Sequence, residues 1–502
     1  MDKIGIFDFG GQYCHLIARR IRELGVYSEI IYKPSEEYVA YILSGGPGTL
    51  TDSESPKLPE NFFEKINVPI LGICYGHQMI AQSFGGEVGR GKEREYGKKI
   101  ATIKTDSPLF KGLTNNEQVW MSHFDEIKKI PKGFEVIAQT DICKIAAFQN
   151  LERKIFGIQF HPEVKHTING LKILDNFLDI VGCRRTYNLE DWVNKKITEL
   201  KREIGDNKVI MACSGGVDST VAAVLLAKAG INAHFIYVDT GLMRLNETEE
   251  VKGIFSELNI PNLHVINAEE RFLTTLSRIS DPEKKRKIIG HLFIEIFEEE
   301  AKKLGEFDYL GQGTIYPDRI ESAQPSKHAT VIKSHHNVGG LPEKMNLKLC
   351  EPLADLYKDE VRKVGKMLGL PEKFTGRHPF PGPALAIRIL GEIDKEKIEI
   401  LKKADAIVTN IIRNHGLYDQ LWQVFPALIP VKSVGVMGDE RTYEWMIAIR
   451  AVESIDAMTA DWAKLPYDVL EEISNQIINK VKGINRVLFD ITSKPPGTIE
   501  YE

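Results

Sequence analysis

The apolar positions of this chain recur in two rhythms. In the first third, short apolar blocks alternate with helical stretches. "KIGIFDF", "YVAYIL", "VPILGI", "KIATIK", "QVWMS", "KIAAFQ" and "IFGIQF" each read as a strand. Leu16, Ile17, Ile21 and Leu24 recur at helical spacing over 14–25, and a helix over 169–181 closes the series. Short buried strands interleaved with helices predict an α/β sheet.

A charged helix over 189–203 leads into a second α/β series, with strands near 208–213, 232–238, 262–267, 308–312 and 347–351. From 314 to 346 no periodicity is legible, which reads as a functional lid or a disordered segment. "RHPFPGP" at 377–383 then punctuates the chain with three prolines and a glycine. Beyond it, a helix over 394–414, strands over 431–437 and 443–451, a helix over 466–481 and a strand over 484–491 predict an α+β unit. These breaks predict three domains, 1–186, 187–382 and 383–502, as the length of 502 residues suggests.

Composition narrows the class. Hydrophobic residues are 43% and charged residues 27% of the chain, both ordinary for a globular protein. The net charge of −5 lacks the basic footprint of a nucleic-acid binder, but leaves room for a small basic pocket. No apolar run approaches the roughly 20 residues of a membrane helix. The opening "MDKIGIFDFG" has no signal-peptide core. Six scattered cysteines, without a CxxC pair, predict reduced thiols and a cytoplasmic enzyme.

Two glycine-framed loops carry candidate chemistry. In "GICYGHQ", Cys74 stands between Gly72 and Gly76 where a strand turns into a helix, the layout of a nucleophile elbow. A helix N-terminus behind a thiol favours the thiolate. In "QFHPEV", His161 is placed to take the proton and Glu163 to hold the imidazole tautomer. "SGGPG" at 44–48 ends another strand, so the N–H groups of Gly46 and Tyr75 are the candidate oxyanion hole.

The second loop is "ACSGGVDST", between the strand "KVIM" and a helix starting near Val217. Gly215 and Gly216 let the backbone wrap an anion, Ser214 and Ser219 add hydroxyls, and the N-terminus of the helix at Val217 adds positive potential. No lysine stands where a Walker loop reaches the γ-phosphate. Asp218 would repel phosphate alone and makes sense as a Mg²⁺ ligand accompanying ATP. Asp239, after the next strand, reads equally as an ATP contact or as a turn-forming aspartate.

Residues 1–186 resemble the class I glutamine amidotransferases, and "SGGVDS" resembles the loop of the ATP pyrophosphatases, which release pyrophosphate and transfer AMP. With "RHPFPGP", "SVGVMGDERTY" and "DITSKPPGTIEYE", the whole chain resembles the GMP synthetase family. The resemblance implies the fold: an amidotransferase α/β domain, a PP-loop parallel-sheet domain and a small α+β dimerisation domain. It implies glutamine, ATP and xanthosine monophosphate (XMP) as substrates, with ammonia from glutamine aminating an adenylated XMP. It also implies Asp318 and Glu321 in adenylation, and Lys333, His335 and His336 in a lid. Arg286, Gln423, Asp439, Lys494 and Glu500 are implied as XMP contacts, and a homodimer through the last domain. No nucleic-acid or membrane partner is implied. Phe124 and Ala384 depart from the family pattern, each standing where glycine is usual.

Overall fold

The computed structural model describes residues 1–50, 52, 54–323, 347–438, 440–454 and 459–502. The chain divides into two compact units, Met1–Trp192 and Val193–Glu502.

The first unit is built on one nine-stranded sheet. Its strands are β1 (Lys3–Phe7), β2 (Tyr27–Ile31), β3 (Tyr38–Leu43), β4 (Ile70–Ile73), β5 (Glu87–Ile103), β6 (Asn116–Lys129), β7 (Glu135–Gln139), β8 (Ala147–Asn150) and β9 (Ile155–Ile158). They are ordered β2-β1-β3-β4-β9-β8-β7-β5-β6. The half from β2 to β9 is parallel, and the half from β9 to β6 is antiparallel. β3, β4 and β9 are buried almost throughout, as strands covered on both faces must be. Their carboxyl ends carry the "SGGPG", "CYG" and "QFHPE" stretches, so topology gathers three distant segments at one edge.

The second unit contains a five-stranded parallel sheet, ordered β12-β11-β10-β13-β14. These strands are β10 (Lys208–Ala212), β11 (Asn232–Asp239), β12 (Leu263–Asn267), β13 (Tyr309–Gly311) and β14 (Lys348–Cys350). It also contains a smaller sheet of β15 (Gln423–Met437), β16 (Glu440–Glu453), β17 (Asp461–Trp462) and β18 (Ile484–Asp490). There β15 and β17 pair antiparallel to β16, while β18 pairs parallel to it. One apolar core links the two sheets: Ile210, Ile236 and Leu310 share it with Leu385, Ile389, Leu401, Leu428, Ile447 and Ile473. The mixed α/β architecture is the one the sequence predicts.

Several elements differ from expectation, among them β2 and β7, which the apolar blocks of the sequence do not mark. β15 begins at Gln423, well before 431. A helix, Tyr316–Ala323, opens the aperiodic stretch. β5 runs for 17 residues, of which "KIATIK" is only the end. Ala384 has φ +55°, a left-handed conformation in which glycine is at ease and alanine is not.

Candidate active sites

The elbow at Cys74 is dictated by sterics. β4 leads directly into the helix Tyr75–Ser83, with Cys74 between them at φ +52° and ψ −104°. A Cβ on Gly72 would lie 2.6 Å from the Gly76 carbonyl, and one on Gly76 would lie 2.3 Å from Leu43 O. Only glycine fits either place. The strained cysteine is held by its own N–H, which donates to Ile158 O on β9 at 2.8 Å. Strain kept at one residue by its surroundings is a mark of functional sites.

His161 and Glu163 converge on this elbow. His161 Nδ1 lies 2.6 Å from Glu163 Oε1, and both residues are buried. His161 is also anchored by its backbone N–H, which donates to Trp120 O at 3.0 Å, and is faced by the Tyr13 ring. Burial opposes a charge on this imidazole, but the Glu163 carboxylate and hydrogen bonding to Cys74 prevail and raise its pKa above the ordinary value. A base that readily holds a proton beside a thiol favours the thiolate–imidazolium pair. The Gly45 backbone closes the third side, since a Cβ there would meet His161 Cε1 at 3.2 Å and Cys74 Cβ at 3.6 Å. Among the described residues no acceptor takes the N–H of Gly46 or of Tyr75. Both donors are therefore available to an oxyanion. Phe124 lies 5.4 Å from the guanidinium groups of both Arg90 and Arg94.

The second loop joins β10 to the helix Val217–Lys228. Gly215 takes φ +76°, and Gly216 is the N-cap of that helix. Ser214 Oγ lies 3.2 Å from Ser219 Oγ and accepts from the Gly216 N–H at 3.3 Å, so both hydroxyls face the wrapped backbone. Asp218 Oδ2 pairs with Lys358 Nζ at 2.5 Å. Its other oxygen, Oδ1, is buried without a hydrogen-bond partner. An orphaned carboxylate oxygen suits a hard, oxygen-seeking cation such as Mg²⁺. Asp239 closes a turn: Oδ1 accepts from Gly241 N at 3.0 Å and Oδ2 from Thr248 Oγ1 at 2.7 Å.

Several expected residues meet near the chain's final segment. Gln423 Nε2 donates to Glu500 Oε1 at 2.7 Å. Arg286 Nη2 donates to the Glu502 backbone oxygen at 2.5 Å, and Lys285 Nζ pairs with the Glu502 carboxylate. Lys494 is fixed through its backbone, which exchanges hydrogen bonds with Ala460. Asp318 lies in the helix Tyr316–Ala323 and accepts from Ile315 N at 3.2 Å. Glu321 belongs to the same helix. Lys333, His335, His336 and Asp439 lie outside the described residues, as does the side chain of Glu321.

Sequence reasoning missed three side chains here. Arg388, 1% exposed, holds Glu500 through two hydrogen bonds of 3.0 and 2.9 Å. Its signal was a lone cation in the apolar run "ALAIRIL". Gln159 donates to Cys74 Sγ at 3.6 Å. It follows the last residue of β9 and stands two places before His161. Lys358, on Asp218, had no local signal.

Comparison with known proteins agrees with this layout. The class-I glutamine amidotransferase model matches residues 5–181, a phosphoadenosine phosphosulfate reductase domain model matches 208–299, and the GMP synthase C terminal domain model matches 410–501. A protein of Aquifex aeolicus named GMP synthase (glutamine-hydrolyzing) is 52% identical over 506 residues, covering 99% of each chain. Proteins of the same name from Clostridium novyi and Halothermothrix orenii are each 53% identical, covering 99% and 100% of this chain and 98% and 99% of theirs. Identity of this depth along almost the whole chain, on a strained cysteine elbow and a phosphate-wrapping loop, means that the chain belongs to the glutamine-hydrolysing GMP synthases.

Proposed function

We propose that Cys74, His161 and Glu163 are the triad at which this enzyme hydrolyses glutamine, with the N–H groups of Gly46 and Tyr75 as its oxyanion hole. The observation that carries this reading is Cys74 at φ +52° on its elbow, beside a histidine fixed by Glu163 at 2.6 Å. The Cys74 thiolate attacks the side-chain amide carbon of glutamine. His161 gives its proton to the departing ammonia, and water then releases glutamate from the thioester.

The enzyme makes GMP from XMP, ATP and glutamine, releasing AMP and pyrophosphate. In our reading Ser214, Gly215, Gly216, Val217 and Ser219 bind the phosphates of ATP, and Asp218 with the loop hydroxyls holds Mg²⁺. When bound, that ion neutralises phosphate charge. The loop grips the two terminal phosphates as one leaving unit, which directs attack to the α-phosphate. The C2 oxygen of XMP takes the adenylyl group and becomes a good leaving group, and ammonia displaces AMP. Asp318 and Glu321 support adenylation, and Lys333, His335 and His336 close over the nucleotide. Arg286, Gln423, Asp439, Lys494 and Glu500 bind XMP. We assign these roles to domains 1–186, 187–382 and 383–502.

Cys74→Ala should abolish GMP formation from glutamine while sparing formation from ammonium salts, read by assaying GMP, AMP and pyrophosphate. Equal loss with both nitrogen donors would overturn the assignment of Cys74.

We further propose a cytoplasmic homodimer. Six unpaired cysteines suit a reducing compartment. Among the described residues no helix is long and apolar enough to cross a membrane. On the smaller sheet, paired Val434 and Tyr443 are 47% and 63% exposed, and Val436 is 78% exposed. Apolar side chains grouped in this way suit a second copy of the chain. Light scattering behind a sizing column should give twice 56.7 kDa; a single-chain mass at micromolar concentration would reject the dimer.

A further inference from the structure

We propose that Gln159 is a further catalytic residue of the glutamine site, donating an amide hydrogen bond to Cys74 Sγ that stabilises the thiolate. The inference rests on the reading of Cys74 as nucleophile. Gln159 is fully buried, and its Nε2 lies 3.6 Å from Cys74 Sγ.

The direction of that hydrogen bond follows from a chain of partners. A side-chain amide can be turned either way, so its orientation must come from its neighbours. Gln78 Nε2 lies 2.7 Å from Asp125 O, a backbone carbonyl that can only accept. That fixes the Gln78 amide. The same nitrogen lies 3.0 Å from Gln159 Oε1, so its second hydrogen goes there. Gln159 Oε1 is thereby an acceptor, and the Gln159 NH₂ must face the sulfur. One carbonyl, two residues removed, decides that sulfur meets a donor.

The chain is braced at its far end. His123 Nδ1 lies 3.0 Å from the same Asp125 carbonyl, and its Nε2 lies 3.0 Å from Glu95 Oε2. Glu95 Oε1 accepts from Thr140 Oγ1 at 2.8 Å. Glu95, His123 and Cys143 also bring possible metal-ligating atoms within 4.8 Å of one another. Yet both Glu95 oxygens are already engaged, so we read the cluster as a polar brace for the Asp125 carbonyl. Glu95, His123, Gln78 and Gln159 are all buried, where a satisfied network holds its geometry.

A donor on sulfur acts at both halves of the reaction. Before attack it favours thiolate over thiol. In acylation the S–C bond forms, the C–N bond breaks and ammonia leaves with a proton from His161; the sulfur becomes neutral and the donor's hold weakens. In deacylation a water oxygen adds to the thioester carbon, the S–C bond breaks and the electron pair returns to sulfur. Gln159 meets that returning charge, so it stabilises the leaving thiolate.

The test uses the full chain. Alkylation of Cys74 by iodoacetamide, located by mass spectrometry, is followed against pH in wild type, Gln159→Leu and Gln159→Glu. Gln159→Leu removes the donor and should move the alkylation midpoint up by about one pH unit, lowering the glutamine-dependent rate by about tenfold. Gln159→Glu keeps size and burial but turns an acceptor toward sulfur, and should move the midpoint further. GMP formation from ammonium salts should stay at the wild-type rate in both. A midpoint unchanged in both variants would overturn the role of Gln159 while leaving Cys74 as the nucleophile. If wild-type enzyme alkylated at Cys74 still used glutamine, the nucleophile assignment itself would fail.

Discussion

Arg388 is 1% exposed, and its guanidinium forks onto both oxygens of Glu500 while lying 4.0 Å from the Phe425 ring. Asp405 Oδ1 stands 3.6 Å away, and Arg244 Nε stands 3.7 Å from Asp405 Oδ2, so Asp405 shares two cations while Glu500 leans on Arg388. A lysine keeps the charge but cannot make the planar fork. Arg388→Lys should therefore loosen Glu500 and raise the KM for XMP, with little change in glutamine hydrolysis measured alone. Arg388→Met leaves the Glu500 carboxylate without its buried cation and should cost about 3–5 kcal/mol in urea unfolding. An unchanged XMP KM in Arg388→Lys would remove Glu500 from the nucleotide pocket. At this scale the sequence was legible where glycines mark a tight corner, as around Cys74 and at Gly215 and Gly216. It was silent where function depends on a partner far along the chain. Nothing near Lys358 announces Asp218, because the pair forms only once the parallel sheet has assembled.

β4 and the helix after it meet at a corner that admits no side chain. Gly76→Ala would drive a methyl group to 2.3 Å from Leu43 O, so β3 or the helix must shift. The expected result is loss of glutamine-dependent GMP synthesis with ammonium-dependent synthesis retained, because the clash lies within the first unit. Full glutamine activity would show that the corner yields. The elbow was readable because glycines mark it in sequence. Other elements lacked such marks. β5 reads "EVGRGKEREYGKKIATI", polar and glycine-rich, and it pairs with β6 on both sides of an irregularity between Arg90 and Glu95. The first half of β15 carries Pro426 and Pro430, which argue against a strand until the topology shows β15 at a sheet edge. The buried parallel strands were easier, since burial on both faces writes a continuous apolar run.

Each compact unit contains a buried histidine that resists protonation, His77 in the first and His378 in the second. His77 in the first unit is fully buried against Phe148; burial drives its pKa from 6.5 to about 3, against the opposing pull of the Gln159 side chain. His378 in the second unit stacks on Tyr418, and burial drives it from 6.5 to about 4. A lowered histidine pKa means that the unfolded chain takes up its proton first. Between about 6.5 and the folded values the unfolded state binds more protons, so stability falls as pH drops through that window. His161 acts in the opposite sense. Its folded pKa is raised, so its contribution is complete below 6.5 and is lost only as pH climbs through the raised value. The molecule should thus begin to weaken just below pH 6.5, before its ordinary carboxylates titrate. His77→Met isolates one cause, because methionine fills the buried site without a titratable ring. In urea melts at pH 7.5, 6.0 and 5.0, the first unit of this variant should lose less stability per pH step than wild type. The second unit, which keeps His378, should follow the wild-type slope. Parallel slopes for the two first units would mean that the acid sensitivity arises elsewhere.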